Sequence, residues 1–182
     1  WDSYSYCRWG NPDDYLQLNR AFRLFDKDDK EGQLTGTYVD KNGKKIVRGE
    51  DSIYFVYAMP EASELCNKTD KGGIQNLPKG FALNGSKVVY EGYVEAPENS
   101  FYQFILYYAG YMKIYIDDKL VVPERWRTAW NPNSFKFETP IAKGVKTPIR
   151  IEWQPDGDVS YCGLRVAAPR SETEKNQLSI WR

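Results

Sequence analysis

The densest chemistry-bearing stretch of the chain runs Glu124-Arg125-Trp126-Arg127-Thr128-Ala129-Trp130-Asn131-Pro132, directly after Pro123. Two indole rings and two guanidinium groups in what reads as a loop are costly to leave in water without a purpose. Rings of this kind stack on apolar faces, while Arg and Asn bond polar groups in fixed geometry. A sugar offers both, with C–H faces and hydroxyl edges. Tyr107, Tyr108 and Tyr111 lie shortly upstream. Tyr108, Tyr111, Arg125, Trp126, Arg127, Trp130 and Asn131 are therefore the candidate carbohydrate-binding residues. The same residue types also fill cores and dominate docking interfaces, and the sequence leaves these alternatives open.

Catalysis finds little support. The chain has no histidine, which removes the commonest general base, the commonest metal ligand and every imidazole-dependent triad. Glu91, Glu95, Glu124 and Glu152 could supply the carboxylate pair of a glycosidase. Among 25 acidic residues some pair is inevitable, so these read as surface groups and no catalytic residue is assigned. Asp26 to Gly32 resembles a calcium loop, but Glu31 and Thr37 stand where an EF-hand needs glycine and glutamate. A solvated, charged turn fits better. Asp117-Asp118 reads as a two-residue hairpin turn, since Asp tolerates positive φ, rather than as a metal-binding pair. Cys7, Cys66 and Cys162 form no CxxC motif and read as buried thiols, with at most one disulfide among them. No metal, calcium included, and no other cofactor is expected.

The elements that must carry these residues are strands. The 14 Tyr, 8 Phe and 6 Trp favour them, and 182 residues suffice for one domain with a real core. Val145–Trp153 alternates strictly, with Val145, Thr147, Ile149, Ile151 and Trp153 on one face. Tyr161–Ala168 repeats the pattern with Cys162, Leu164 and Val166 inward, and Asp156-Gly157 turns between them. Further runs are Gln33–Asp40, Ser52–Tyr57, Lys87–Ala96, Ser100–Tyr108, Tyr111–Asp117 and Lys119–Val122, with a hairpin turn at Asn42-Gly43. Residues 1–32 look irregular, with a cap signal at Asn11 to Asp14 and room for one short helix within Asp13 to Phe25. Met59 to Gly85 reads as a long surface excursion with a short helix near Glu61–Cys66. The expectation is an all-β, antiparallel two-sheet β-sandwich with one or two short helices. It would form a single domain: a lead-in at 1–32, the sandwich at 33–168 and a return segment at 169–182.

Lys and Arg together equal Asp and Glu in number, so charge gives no reason to expect nucleic acid or an anionic membrane. No signal peptide or membrane-spanning apolar run is present. Beginning at Trp1 and ending at Arg182, the chain reads as a piece excised from a larger protein.

Phe101-Tyr102-Gln103-Phe104, Ile114-Tyr115-Ile116-Asp117-Asp118-Lys119-Leu120-Val121-Val122 and Pro148-Ile149-Arg150-Ile151-Glu152-Trp153 together resemble the N-terminal-type domain of anthrax protective antigen. Asp118 stands where that family usually has a turn glycine. The resemblance implies a jelly-roll-like β-sandwich that commonly serves carbohydrate recognition. Trp9-Gly10-Asn11-Pro12-Asp13-Asp14-Tyr15, Ala21-Phe22-Arg23-Leu24-Phe25-Asp26-Lys27-Asp28, Tyr107-Tyr108-Ala109-Gly110-Tyr111 and Arg125–Pro132 are similar to the insert carried by family 31 glycoside hydrolases. These include α-xylosidases and α-glucosidases of gut Bacteroides and related bacteria. Gln177-Leu178-Ser179-Ile180-Trp181 is similar to the strand returning such inserts to the enzyme. This resemblance implies a non-catalytic accessory domain beside a hydrolase active site, in the periplasm, at the cell surface or secreted. Its implied partners are the parent's catalytic barrel and an oligosaccharide or polysaccharide, xyloglucan-derived sugars among them. A structural docking module without sugar contact is the alternative. Calcium-dependent sugar-binding relatives use paired aspartates where this chain has Ala109 and Gly110, so the resemblance implies no calcium site.

Overall fold

The computed structural model describes residues 15–57, 80–128, 135–157 and 160–167. In chain order the elements are β1 (Tyr15–Gln17), α1 (Leu18–Ala21), β2 (Arg23–Phe25), β3 (Leu34–Val39), β4 (Lys45–Glu50), β5 (Ile53–Tyr57) and β6 (Lys87–Glu95). They continue with β7 (Ser100–Tyr108), β8 (Gly110–Ile116), β9 (Lys119–Arg127), β10 (Phe135–Ile141), β11 (Lys146–Gln154) and β12 (Ser160–Ala167). All pairings between these strands are antiparallel. The expected signals at Asn11 to Asp14, Glu61–Cys66 and Gln177–Trp181 lie outside the described residues.

Two sheets form the sandwich. In the five-stranded sheet β10 pairs β7 and β7 pairs β12, while β1 and β5 share the far edge of β12. The seven-stranded sheet runs β4-β3-β6-β11-β8-β9, with β2 taking up the edge of β6 where β3 leaves it. Alternation decides what faces the core. On β11, Thr147, Ile149, Ile151 and Trp153 are buried, and Pro148, Arg150, Glu152 and Gln154 point the other way. Tyr102, Phe104, Leu106 and Tyr108 from β7 meet them, joined by Cys162, Leu164 and Val166 from β12. Trp153 is fully buried, and its indole N–H donates to the Ala109 carbonyl at 2.8 Å. Its large apolar area is thus buried without leaving a polar atom unpaired.

Turn chemistry fixes the registers. Asp117 and Asp118 take φ 56° and 60°, the left-handed pair that a two-residue hairpin needs and that Asp accepts. The β3–β4 turn is closed by Asp40, whose Oδ1 accepts from the backbone of Asn42 and Lys44 and whose Oδ2 accepts from Ala82. Burial pushes the Asp40 carboxyl up, but the three backbone N–H groups outweigh it and hold the carboxyl below its usual range.

The structure departs from the sequence expectations in four places. Residues 15–25, read as irregular around one helix, contribute β1 and β2 with a single helical turn between them. Val145, read as inward, precedes β11 and is 53% exposed. β10 has no counterpart among the expected runs. The strand expected to stop at Val122 continues through Pro123 to Arg127 as β9. Proline lacks a ladder donor and belongs on edges and bulges. β9 is an edge strand, and its pairing with β8 slips twice, between Met112 and Ile114 and between Ile114 and Tyr115. The proline is absorbed there instead of ending the strand.

Candidate functional site

The longer β9 changes the meaning of the Trp/Arg stretch. Arg125, Trp126 and Arg127 are strand residues paired with Met112, Tyr111 and Gly110 respectively. Consecutive strand residues point to opposite faces, so the three cannot act together. Trp126 and Tyr111 sit directly opposite each other on the outer face and are 55% and 40% exposed. The Trp126 indole N–H donates to the Asp156 carboxylate just beyond β11, which fixes the ring. A backbone bond from Gly85 to the Pro155 carbonyl, 2.9 Å, ties down that turn.

Arg125 turns inward. Its guanidinium lies 3.8 Å from the Phe135 ring centroid, and its Nε donates to the Tyr108 hydroxyl at 3.3 Å. Phe135 and Tyr108 belong to the opposite sheet, so Arg125 rivets the two layers. Tyr108 is 1% exposed, and its phase matches the inward residues of β7. Burial takes Tyr108 out of reach of a ligand, which corrects the expectation for it, while Arg125 is partly buried and engaged between the sheets. Arg127 is half-buried at the end of β9. Trp130 and Asn131 lie outside the described residues.

The outer face of the seven-stranded sheet also carries a groove of about 510 Å³ that the sequence reading did not single out. Its lining includes Tyr93, Tyr115 and Pro148, with Glu91, Arg150 and Glu152 among them. Lys27 and Asp118 close it from the β2–β3 loop and the β8–β9 hairpin. Arg150 donates from Nη1 to Glu91 and from Nε to Glu152, both at 2.9 Å. The hydrogen bond it donates to Glu152, together with the charges of Glu152 and Glu91, lifts the guanidinium pKa above its ordinary value. Glu91 and Glu152 were expected as ordinary surface groups. They are on the surface, but as the two arms of one fork. The available signal was outward residues on adjacent alternating strands, which becomes a site only once register is known.

A buried polar cluster lies elsewhere, at the β3–β4 edge. The Tyr38 hydroxyl bonds Glu50 at 2.5 Å and the Tyr90 hydroxyl at 3.1 Å, and Arg48 stacks 4.6 Å from the Tyr38 centroid. Burial, reinforced by neighbouring Glu50, pushes the Tyr38 phenol up, and burial does the same to Tyr90. Both hydroxyls therefore stay protonated and act as structural donors and acceptors. Cys162 is a free, buried thiol that burial likewise pushes up. Cys7 and Cys66 lie outside the described residues. Among the described residues, no group of three or more His, Cys, Asp or Glu converges on a metal position.

No protein-family model matches the chain. Among solved structures, it is similar to the GH31 alpha-xylosidase from Xanthomonas citri, with 30% identity and a TM-score of 0.67 over 90% of this chain. It spans only 17% of that enzyme's chain. A beta-glucosidase from Kluyveromyces marxianus matches over 91% of this chain and 20% of its own at 14% identity, with a TM-score of 0.59. An anti-sigma factor domain-containing protein from Clostridium clariflavum matches over 88% of this chain and 46% of its own at 15% identity, with a TM-score of 0.54. The last two share the fold alone. This β-sandwich is thus a domain type that occurs within glycoside hydrolases, and the chain has the fold of such a domain.

Proposed function

We propose that this chain is a non-catalytic, protective-antigen-like accessory domain of a family 31 glycoside hydrolase, of the α-xylosidase or α-glucosidase type. The observation that carries this reading is the 30% identity to a GH31 alpha-xylosidase sustained over 90% of the chain. In this role the domain stands beside the parent's catalytic barrel and holds sugar units away from the scissile bond, without calcium. Remote contacts of this kind can be converted into a lower barrier at the reacting centre. The Tyr111–Trp126 rung supplies the stacking surface, with Trp130 and Asn131 next along the chain; Arg127, on the opposite face of β9, does not join it. The periplasm or cell surface is the compartment that fits such an enzyme.

Tryptophan fluorescence of the chain titrated with xyloglucan oligosaccharides and malto-oligosaccharides tests the reading. A saturable change that Trp126→Ala abolishes supports it. No change at millimolar sugar, with the parent enzyme's oligosaccharide preference unaltered by Trp126→Ala, refutes it. A second reading, a docking surface for the barrel or another subunit, draws on one feature: neither Tyr111 nor Trp126 lines the groove. A flat, fixed rung suits a protein contact as well as a sugar. Trp126→Ala would then loosen the domain from its neighbour and leave sugar titrations unchanged.

A further inference from the structure

The groove on the seven-stranded sheet differs from the rung in kind. Its volume of about 510 Å³ falls within the range of small-ligand sites. Its lining carries two cationic side chains, Lys27 and Arg150, against three carboxylates, Glu91, Asp118 and Glu152. Charges this evenly matched favour neither a phosphate nor a metal cation. The central fork is already ordered, because Arg150 is clasped by Glu91 and Glu152. The clasp uses Nη1 and Nε of Arg150 and one oxygen of each carboxylate. Arg150 Nη2 and the second oxygen of each glutamate stay available as donor and acceptors. The arginine side chain is 49% exposed, and those of Glu91 and Glu152 are 26% and 35% exposed. Tyr93 lies across from Pro148, and Tyr115 lies across from Arg150. Half-buried rings therefore flank the polar centre. Alternating donors and acceptors between aromatic walls, with little net charge, match vicinal hydroxyls on a ring with apolar faces.

We propose that this groove is a binding site for a neutral oligosaccharide, with Tyr93 and Tyr115 walling the sugar and Arg150, Glu91 and Glu152 bonding its hydroxyls. The choice of ligand class rests on the accessory-domain reading above; the site itself is separate from the Tyr111–Trp126 rung. Both lie on one face of the sheet. Tyr111 is four residues along β8 from Tyr115, about 13 Å at the rise of a strand, with Lys113 between them. One extended chain can reach both positions, so the groove adds a second, more enclosed foothold.

The test is a two-dimensional amide NMR titration of the 182-residue chain with maltoheptaose and, separately, xyloglucan heptasaccharide. The expected result is saturable shifts at Glu91, Tyr115, Arg150 and Glu152 with at least one sugar. Tyr115→Ala should weaken that binding about tenfold, the size of losing one stacking ring. Arg150→Gln, a surface change that keeps an amide donor, should weaken it while the rest of the spectrum stays dispersed. Shifts confined to the Trp126 indole and its neighbours would overturn the groove while sparing the accessory-domain reading. An absence of shifts at the groove with both sugars at millimolar concentration would overturn it too. So would binding that neither groove variant weakens.

Discussion

The outer faces of the two sheets are built from similar residues and come to opposite ends. On the five-stranded sheet, Ile105, Tyr107, Tyr161 and Arg165 point away from the sandwich core, yet none is more than 5% exposed. Tyr107 and Tyr161 stack there at 4.3 Å with their planes 10° apart. On the seven-stranded sheet, Tyr111 and Trp126 stand in solvent and Tyr93, Tyr115 and Arg150 border a groove. Outward tyrosine is thus no evidence of a ligand site. What matters is whether the face it occupies is covered, and strand alternation does not contain that information.

Five substitutions press on this contrast. The largest effect is expected at the covered face. Tyr107→Ala should cost about 3–5 kcal/mol in chemical denaturation, as removal of a buried aromatic ring does. Tyr111→Ala, its counterpart on the open face, should stay within about 0.5 kcal/mol of the parent chain. Equal costs for the two would erase the distinction. Next comes the neighbouring pair on β9. Arg125→Ala removes the inter-sheet rivet and should destabilise by about 1–2 kcal/mol without altering any sugar response. Trp126→Ala should do the reverse, leaving the denaturation midpoint in place and removing the fluorescence response.

The smallest effect is expected at Asp40, which reaches the open face indirectly. It holds Ala82 of the loop whose Gly85 ties down the turn bearing Asp156. Its folded carboxyl titrates below the unfolded one. The stabilisation is therefore complete above the unfolded pKa and disappears as pH falls through the folded value. Thermal melts should show Asp40→Asn slightly less stable than the parent chain at neutral pH. The gap should close under strongly acidic conditions, and a constant gap would contradict this role.

Much of the frame was readable because the relevant forces are local. β11 announced itself by alternation from Thr147 to Trp153, and Asp117-Asp118 marked the turn between β8 and β9 through a tolerance for positive φ. β9 was cut short because Pro123 looks like a terminator. An edge strand with two register slips accommodates it, but edge status follows from the whole sheet. β10 was missed although Phe135 and Phe137 alternate, because Thr139-Pro140 breaks the pattern. Tyr108 was misread despite a usable signal: it is in phase with Tyr102, Phe104 and Leu106, all buried. The groove needed something no single strand holds. Tyr115 is set opposite Arg150, and Arg150 opposite Glu91, by pairings between β8, β11 and β6.

The corner at Ala109-Gly110 limits how this domain could be altered. Gly110 holds φ 100°, and a Cβ placed there would lie 2.4 Å from the Gln154 carbonyl oxygen. Ala109 is occupied on both sides, its N–H donating to Tyr161 and its carbonyl receiving the Trp153 indole. Installing adjacent aspartates there would require β8 to lift away from β11 before any ion could be held. Calcium-dependent recognition could not be grafted here by exchanging two side chains, because the backbone would first have to be redrawn.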